Sequence, residues 1–157
     1  MLIIIAFVLV GMITFGGGFI CGLKYYHVEI SKMSDLASKR LDLFKIAVWW
    51  IKNPQKVKKY VIQNHYKEIA IYGMSYLGDC LENVLRHSGI KVVCGIDRNA
   101  GQLYNPYIPI YTLESKLPLA DLVIVTTIVC FDQIKQEIQQ SYGSDVNVVS
   151  LEEILYK

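Results

Sequence analysis

The residues best placed to do chemistry form a glycine-rich turn after an apolar run. Ile69-Ala-Ile-Tyr72 leads into Gly73-Met-Ser-Tyr-Leu-Gly78, and Asp97 closes the next apolar run 19 residues after Gly78. A dinucleotide-binding turn has the pattern G-x-G-x-x-G with an acid about 20 residues further on. Its glycines permit a tight turn and close approach of a pyrophosphate, helix N-terminal amides hold the phosphate, and the acid accepts hydrogen bonds from a ribose. The spacing therefore predicts a nucleotide site.

The turn departs from this pattern at its middle glycine, which is Ser75 here. A serine adds a Cβ where a pyrophosphate would come closest, although its hydroxyl can donate a hydrogen bond to a phosphate oxygen. Two interpretations stay open: the turn binds a nucleotide, or Gly73 and Gly78 are there for packing and no ligand binds. We expect the carboxylate of Asp97 to be exposed when no ligand is bound.

Three further residues are candidates for the same site. Arg98 follows Asp97 and precedes Asn99, so this tripeptide is either a ribose or sugar contact or a turn cap. Thr126 and Thr127 end a later apolar run, and ligands of open α/β sheets bind beyond the carboxyl ends of the strands. The ordinary alternative for these threonines is that they are β-branched residues finishing a strand.

Catalytic signatures are missing from the sequence. There is no Tyr-x-x-x-Lys pair for hydride chemistry, and Asp79 follows Gly78 where a phosphate-binding P-loop would have lysine. No histidine has a plausible nucleophile partner. The four cysteines have neither CxxC nor metal-ligand spacing, and we expect them to be buried reduced thiols. No catalytic residue and no metal ligand can be named, so whether the chain is an enzyme stays open, with non-catalytic binding favoured.

The elements that position the turn alternate between short apolar runs and amphipathic segments from residue 66 onward. This order predicts a parallel sheet covered on both faces, a small Rossmann-like α/β domain at 66–157. The predicted strands are 68–72, 90–97, 108–111, 120–127 and 146–149. The predicted helices are 76–87, 130–142 and a last one opened by the capping box Ser150-Leu-Glu-Glu153, with a helical turn at 112–117.

A basic neck is predicted at 24–65, consisting of a helix over 31–52 and a short helix over 55–64 separated by Asn53-Pro54. From residue 24 to 67 there are ten Lys and Arg against three acidic residues, a net charge of +7. Such a block beside an apolar span favours an anionic membrane surface. Trp49 and Trp50 are either interfacial anchors or residues that pack the neck onto the domain. From residue 68 onward the net charge is −5, which argues against a nucleic-acid partner.

The first 23 residues are predicted to be a transmembrane helix. Residues 2–23 carry no charge and, as a helix, are long enough to cross the hydrocarbon layer. A cleaved signal peptide is the alternative, but the basic n-region and the small-residue cleavage site are not present. Lysines follow the span closely, so the positive-inside rule places the C-terminal domain in the cytoplasm of a single-pass membrane protein. The pair Gly18 and Gly22 forms a GxxxG motif, which favours self-association weakly.

Three segments of the C-terminal part resemble a known family. They are IAIYGMSYLGDCLENVLRHSGIKVVCGIDRNA, IPIYTLESKLPLADLVIVTT and VNVVSLEEILY. Together they resemble the Rossmann-like nucleotide-sugar-binding domains of bacterial capsular and surface-polysaccharide biosynthesis proteins, the nucleoside-diphosphate-sugar epimerase/dehydratase-like family, over roughly residues 66–156. The resemblance implies a ligand such as NAD(P) or a nucleotide-sugar, held by Gly73, Ser75, Tyr76, Gly78 and Asp97, with catalysis in a different domain.

Two functional hypotheses follow. The first is a membrane-anchored nucleotide or nucleotide-sugar-binding module of the surface-polysaccharide or glycosyl-transfer machinery, without its own catalysis. The alternative is a Rossmann-like interaction module that has lost its ligand and docks a glycosyltransferase or another membrane enzyme. An independent epimerase or dehydratase ranks third. The sequence leaves open the ligand, the partner, the sugar pathway and the oligomeric state.

Overall fold

The computed structural model describes the backbone of residues 2–127, 129–143 and 145–156. Side chains are described from Lys24 onward, with the exception of Tyr25. The chain divides into two compact units, residues 1–41 and residues 42–157. The second unit thus takes in the later part of the predicted neck as well as the predicted α/β domain.

The described part of the first unit belongs to helix α1, which spans Leu2–Lys52. The helix predicted over 31–52 is confirmed and begins earlier. Nearly all the described side chains of this unit are exposed, and Lys39 forms an ion pair with Asp35 one turn away at 2.7 Å. The predicted membrane span at 2–23, with its GxxxG motif, lies outside the residues whose side chains are described. Among the described residues, no helix combines the length and apolar character needed to cross a bilayer.

The second unit is built on a five-stranded parallel sheet, which confirms the expected Rossmann-like α/β fold. The strands are β1 Glu68–Tyr72, β2 Lys91–Ile96, β3 Ile110–Tyr111, β4 Leu122–Val125 and β5 Asn147–Ser150. The helices are the end of α1, then α2 Lys56–Gln63, α3 Tyr76–His87, α4 Phe131–Tyr142 and α5 Leu151–Tyr156. The strand order is β3-β2-β1-β4-β5. Strand order therefore reverses between β1 and β4, the place where such sheets open a ligand crevice at their carboxyl edge.

Alternation along the strands gives the sheet two apolar faces. Ile69 and Ile71 of β1 lie in one buried cluster, whereas Ala70 and Tyr72 lie in the other. The first cluster receives Leu81 and other residues of α3, together with residues of α1, α2 and α5. The second cluster receives α4 through Ile134 and Ile138. Each fully buried aliphatic side chain stabilises the fold by about 1.5–3 kcal/mol, so both helical layers hold the sheet.

The end of the predicted neck belongs to the first apolar cluster. Ile46 and Trp50 of α1 are buried there, as are Val57 and Val61 of α2. The Trp49 ring meets the ring of Tyr156 edge-on, at 5.2 Å between centroids. Both tryptophans therefore pack onto the α/β domain, which is one of the two roles considered for them.

The predicted bounds of β1 and α3 are confirmed, and those of β2 to β5 and α4 differ from the structure by one or two residues. Gly89 and Gly143 end α3 and α4 with φ of +74° and +99°, and the Ser150 hydroxyl caps α5 by accepting the Glu153 N–H at 3.0 Å. The helical turn predicted at 112–117 is confirmed only over 112–115, as a single hydrogen-bonded turn and not a helix. Its one backbone bond runs from Ser115 N to Thr112 O at 3.1 Å, and the hydroxyls of these two residues pair at 3.2 Å. The expectation of buried cysteines holds for Cys94 and in part for Cys80, which is half-buried, but is wrong for Cys130, which is exposed before α4.

Candidate functional site

The glycine turn between β1 and α3 is held tightly against the sheet. Gly73 has a φ of +92°, which L side chains rarely adopt, and its N–H donates to the carbonyl of Ile96 at 2.8 Å. A Cβ at this position would lie 2.7 Å from Thr126 Oγ1 and 3.0 Å from Thr127 Cγ2. The backbone conformation and the two threonines that follow β4 therefore both require glycine here.

Gly78 is the third residue of α3 and lies against the turn. A Cβ there would lie 2.3 Å from the carbonyl oxygen of Gly73. That oxygen belongs to the backbone and also accepts a hydrogen bond from Thr126 Oγ1 at 2.7 Å, so it has little freedom to move. The first and last glycines of the motif are thus explained by backbone conformation and packing, without a ligand.

Asp97 is tied to the turn by hydrogen bonds. Its Oδ2 accepts the backbone N–H of Met74 at 2.9 Å, and its Oδ1 accepts the N–H of Asn99 at 2.9 Å. The expectation that this carboxylate is exposed without a ligand is therefore wrong: Asp97 is half-buried and joins the end of β2 to the turn after β1. A carboxylate has about four lone-pair positions, so a ribose hydroxyl can still donate to it.

Ser75 and Tyr76 lie at the open end of the turn, where α3 begins. Both side chains are exposed, and the Ser75 hydroxyl makes no capping bond to the described backbone of α3. The first backbone bond of the helix runs from Asp79 N to Ser75 O at 3.0 Å. The first N–H groups of a helix have no acceptor within the helix and carry partial positive charge. The start of α3 is therefore suited to an anion.

The two threonines after β4 have different surroundings. Thr126 is buried, and its hydroxyl donates to the carbonyl oxygens of Tyr72 and Gly73 at 3.1 and 2.7 Å. This is a structural role and leaves no donor for a ligand. The Oγ1 of Thr127 is buried and has no hydrogen-bond partner among the described residues. Leaving a buried hydroxyl unpaired costs about 1–3 kcal/mol, and such groups are rare in folded proteins.

Met74 is a site residue that the sequence reasoning missed. Its side chain is 1% exposed and packs under the turn, where a Cβ on Gly95 would lie 2.5 Å from Met74 Cγ. The signal was present in the sequence, since a glycine inside a strand often marks close approach of another group. Met74 therefore fills the space between the turn and β2.

Arg98 points away from the turn, toward α4. Its Nη2 donates to both carboxylate oxygens of Glu137, at 3.0 and 3.2 Å. With Tyr72, Leu113 and Glu114, these two residues line a cavity of about 390 Å³ at the carboxyl edge of the sheet. The structure thus separates Arg98 from the turn, although it is the neighbour of Asp97.

The carboxylates of this cavity are ionised at neutral pH. The pKa of Glu137 is lowered by hydrogen bonds from Gln133 and Arg98. The pKa of Glu114 is lowered, chiefly by a hydrogen bond from the Thr112 hydroxyl. Burial raises the pKa of the Tyr72 phenol, so that this group stays neutral and can donate. The lining therefore has two anionic acceptors, one guanidinium and one phenol.

The predicted site residues fall into two groups. The turn brings together Gly73, Gly78, Asp97, Thr126 and Thr127 through close contacts and hydrogen bonds, with Ser75 and Tyr76 exposed at its open end. Arg98 belongs to the adjoining cavity. No cluster of side chains suited to a metal ion is found within the described part of the chain.

Comparison with known proteins adds no assignment, because no family model, curated protein or solved structure matches this chain.

Proposed function

We propose that residues 42–157 form a nucleotide or nucleotide-sugar-binding module, without its own catalysis, that the N-terminal segment tethers to a membrane with the module in the cytoplasm. The observation that carries the proposal is the position of the start of α3. It directly follows β1, beside the reversal of strand order, and it exposes Ser75 and Tyr76 with the serine hydroxyl free of a capping role in the described helix. A phosphate at this place would accept N–H and O–H donors from the turn.

Two neighbouring groups support a ligand at the turn. The buried Thr127 hydroxyl lacks a partner among the described residues, and its methyl group lies 3.0 Å from where a Gly73 Cβ would be. A ligand oxygen at the crevice would satisfy this hydroxyl. Asp97 retains acceptor capacity beside the turn, at the place where the fingerprint requires a ribose contact.

The membrane tether is supported by sequence and charge. Residues 2–23 are uncharged, and the exposed flank that follows is rich in lysine. Lys39 and Lys45 pair with Asp35 and Asp42 at 2.7 and 2.9 Å, and the remaining Lys and Arg residues of the flank outnumber its one other acid, Glu29. The assignment to surface-polysaccharide or glycosyl-transfer machinery rests on the sequence resemblance over residues 66–156.

Ligand-induced stabilisation tests the proposal. The full chain in detergent micelles is heated with nucleoside diphosphates, NAD(P) and nucleotide-sugars, and with inorganic pyrophosphate for comparison. A ligand that binds only the folded state stabilises it by about 2.7 kcal/mol at about 100-fold excess over Kd. We expect one of the nucleotide classes to raise the melting temperature. If none does, the binding proposal is lost.

A docking module without a ligand is the second candidate function. It is favoured by the packing that explains Gly73 and Gly78 and by the two backbone bonds already made by Asp97. Exposed Tyr76 and Tyr104, at 81% and 85%, are residues of the type that anchors protein interfaces. The same heating experiment separates the two functions, since a docking module gains nothing from any nucleotide.

A further inference from the structure

The cavity beside Asp97 has a composition that selects its ligand. Tyr72 ends β1, Arg98 follows Asp97 after β2, and Leu113 and Glu114 follow β3. Glu137 comes from α4. At about 390 Å³ the cavity lies within the range of small-molecule sites.

Charge excludes a phosphate from this cavity. Its two carboxylates outnumber its single guanidinium, and Glu137 already binds that guanidinium through both oxygens. Carboxylates accept hydrogen bonds and cannot donate them, so the ligand group must supply N–H or O–H donors. Leu113 and the Tyr72 ring, both packed in the second apolar cluster, give the floor an apolar surface suited to a flat ring.

The order of groups along the sheet edge identifies which part of a nucleotide reaches the cavity. In the proposed function the phosphate lies at the start of α3 and the ribose at Asp97. The base is attached to the far side of the ribose, and Arg98 is the residue that follows Asp97. The base is therefore the part of the nucleotide directed toward the cavity.

We propose that the cavity formed by Tyr72, Arg98, Leu113, Glu114 and Glu137 is a base pocket that prefers guanine. Guanine presents the N1–H and N2–H₂ donors side by side, matching a carboxylate that accepts two hydrogen bonds. Uracil places a single N–H between two carbonyl oxygens, whose partial negative charges would face the carboxylate of Glu114 or Glu137. Adenine and cytosine each offer one amino group, and their affinities for the cavity should lie between those of guanine and uracil. The inference rests on the proposed nucleotide function and specifies its ligand.

The test measures the affinities of GDP, ADP, CDP and UDP for the full chain in detergent, so that only the base varies. We expect GDP to bind at least about tenfold more tightly than UDP, the ratio that one charge-assisted hydrogen bond supports. Glu114→Gln and Glu137→Gln each keep side-chain shape and remove one acceptor charge. At least one of them should weaken GDP binding and leave UDP binding unchanged.

Glu152→Gln is the matched control, because it removes an exposed carboxylate from α5, and it should change neither affinity. Equal binding of all four nucleotides, or equal losses for GDP and UDP in both cavity variants, overturns the base pocket and leaves the proposed function standing. Binding of none of the four, with NAD(P) and nucleotide-sugars also without effect, overturns both.

Discussion

Asp97 accepts the backbone N–H of Met74 at 2.9 Å, so the end of β2 holds the glycine turn that follows β1. The other carboxylate oxygen accepts the N–H of Asn99 and shapes the loop after β2. The turn therefore has its conformation before any ligand arrives. A preformed turn loses less conformational freedom when a ligand binds.

Replacement of Asp97 should destabilise the protein even without a ligand. Asp97→Ala leaves two backbone donors without their acceptor, and we expect a loss of about 1–3 kcal/mol in the free energy of unfolding. Asp97→Asn keeps one carbonyl oxygen and should lose less. Thermal unfolding of the full chain in detergent measures both. Equal stability of wild type and Asp97→Ala would mean that the bond from Met74 contributes nothing.

Gly78→Ala should destabilise the domain through the packing of the turn. The new Cβ would meet the Gly73 carbonyl oxygen at 2.3 Å, and overpacking of this kind costs about 1–3 kcal/mol. Gly101→Ala is the control, because nothing lies within 4 Å of a Cβ there. Unfolding should show a lower melting temperature for the first variant and an unchanged one for the second. A Gly78→Ala protein as stable as wild type would contradict the close approach of α3 to the turn.

Asp121 should make the protein sensitive to acid. It accepts the backbone N–H groups of Lys67 and Glu68 at 2.9 and 3.0 Å, and these bonds lower its pKa in the folded state. A carboxyl group whose folded pKa is lowered stabilises the fold above its unfolded pKa, about 3.9. That contribution is lost as the pH falls through the folded pKa.

The pH dependence can be measured as melting temperature between about pH 7 and pH 2.5. Asp121→Asn should lower the melting temperature at neutral pH, and the melting temperature of this variant should fall less steeply on acidification than that of the wild type. The melting temperature of Glu152→Gln should follow that of the wild type at every pH. Parallel curves for wild type and Asp121→Asn would show that Asp121 does not contribute to acid sensitivity.

The proposed membrane orientation of residues 42–157 can be tested in intact cells. Because the lysine-rich flank lies on the C-terminal side of the uncharged segment, residues 42–157 should face the cytoplasm. Protease added outside intact cells should leave this unit whole, and protease added after permeabilisation should digest it. Digestion of this unit in intact cells would show that it faces the outside of the membrane, opposite to the proposed orientation.

Local sequence patterns predicted the fold well because strand period, glycine helix ends and the Ser150 cap all act over a few residues. The glycine turn was recognised in the same way, from the spacing of Gly73, Gly78 and Asp97. The direction of a polar side chain was not predictable, since it depends on partners distant in sequence. The carboxylate of Asp97 accepts a hydrogen bond from Met74, 23 residues earlier, and the guanidinium of Arg98 donates to Glu137, 39 residues later.

Equilibrium binding of nucleoside diphosphates to the full chain, with and without Ser75→Asp, tests the nucleotide site most directly. Aspartate caps a helix as well as serine does, so α3 should remain stable while its carboxylate repels a phosphate at the turn. Ser38→Asp adds the same charge to the exposed surface of α1 and is the control. We expect saturable binding to the wild type and the control, and at least about tenfold weaker binding to Ser75→Asp. Absence of saturable binding, or equal affinity of all three proteins, would contradict a nucleotide at the start of α3.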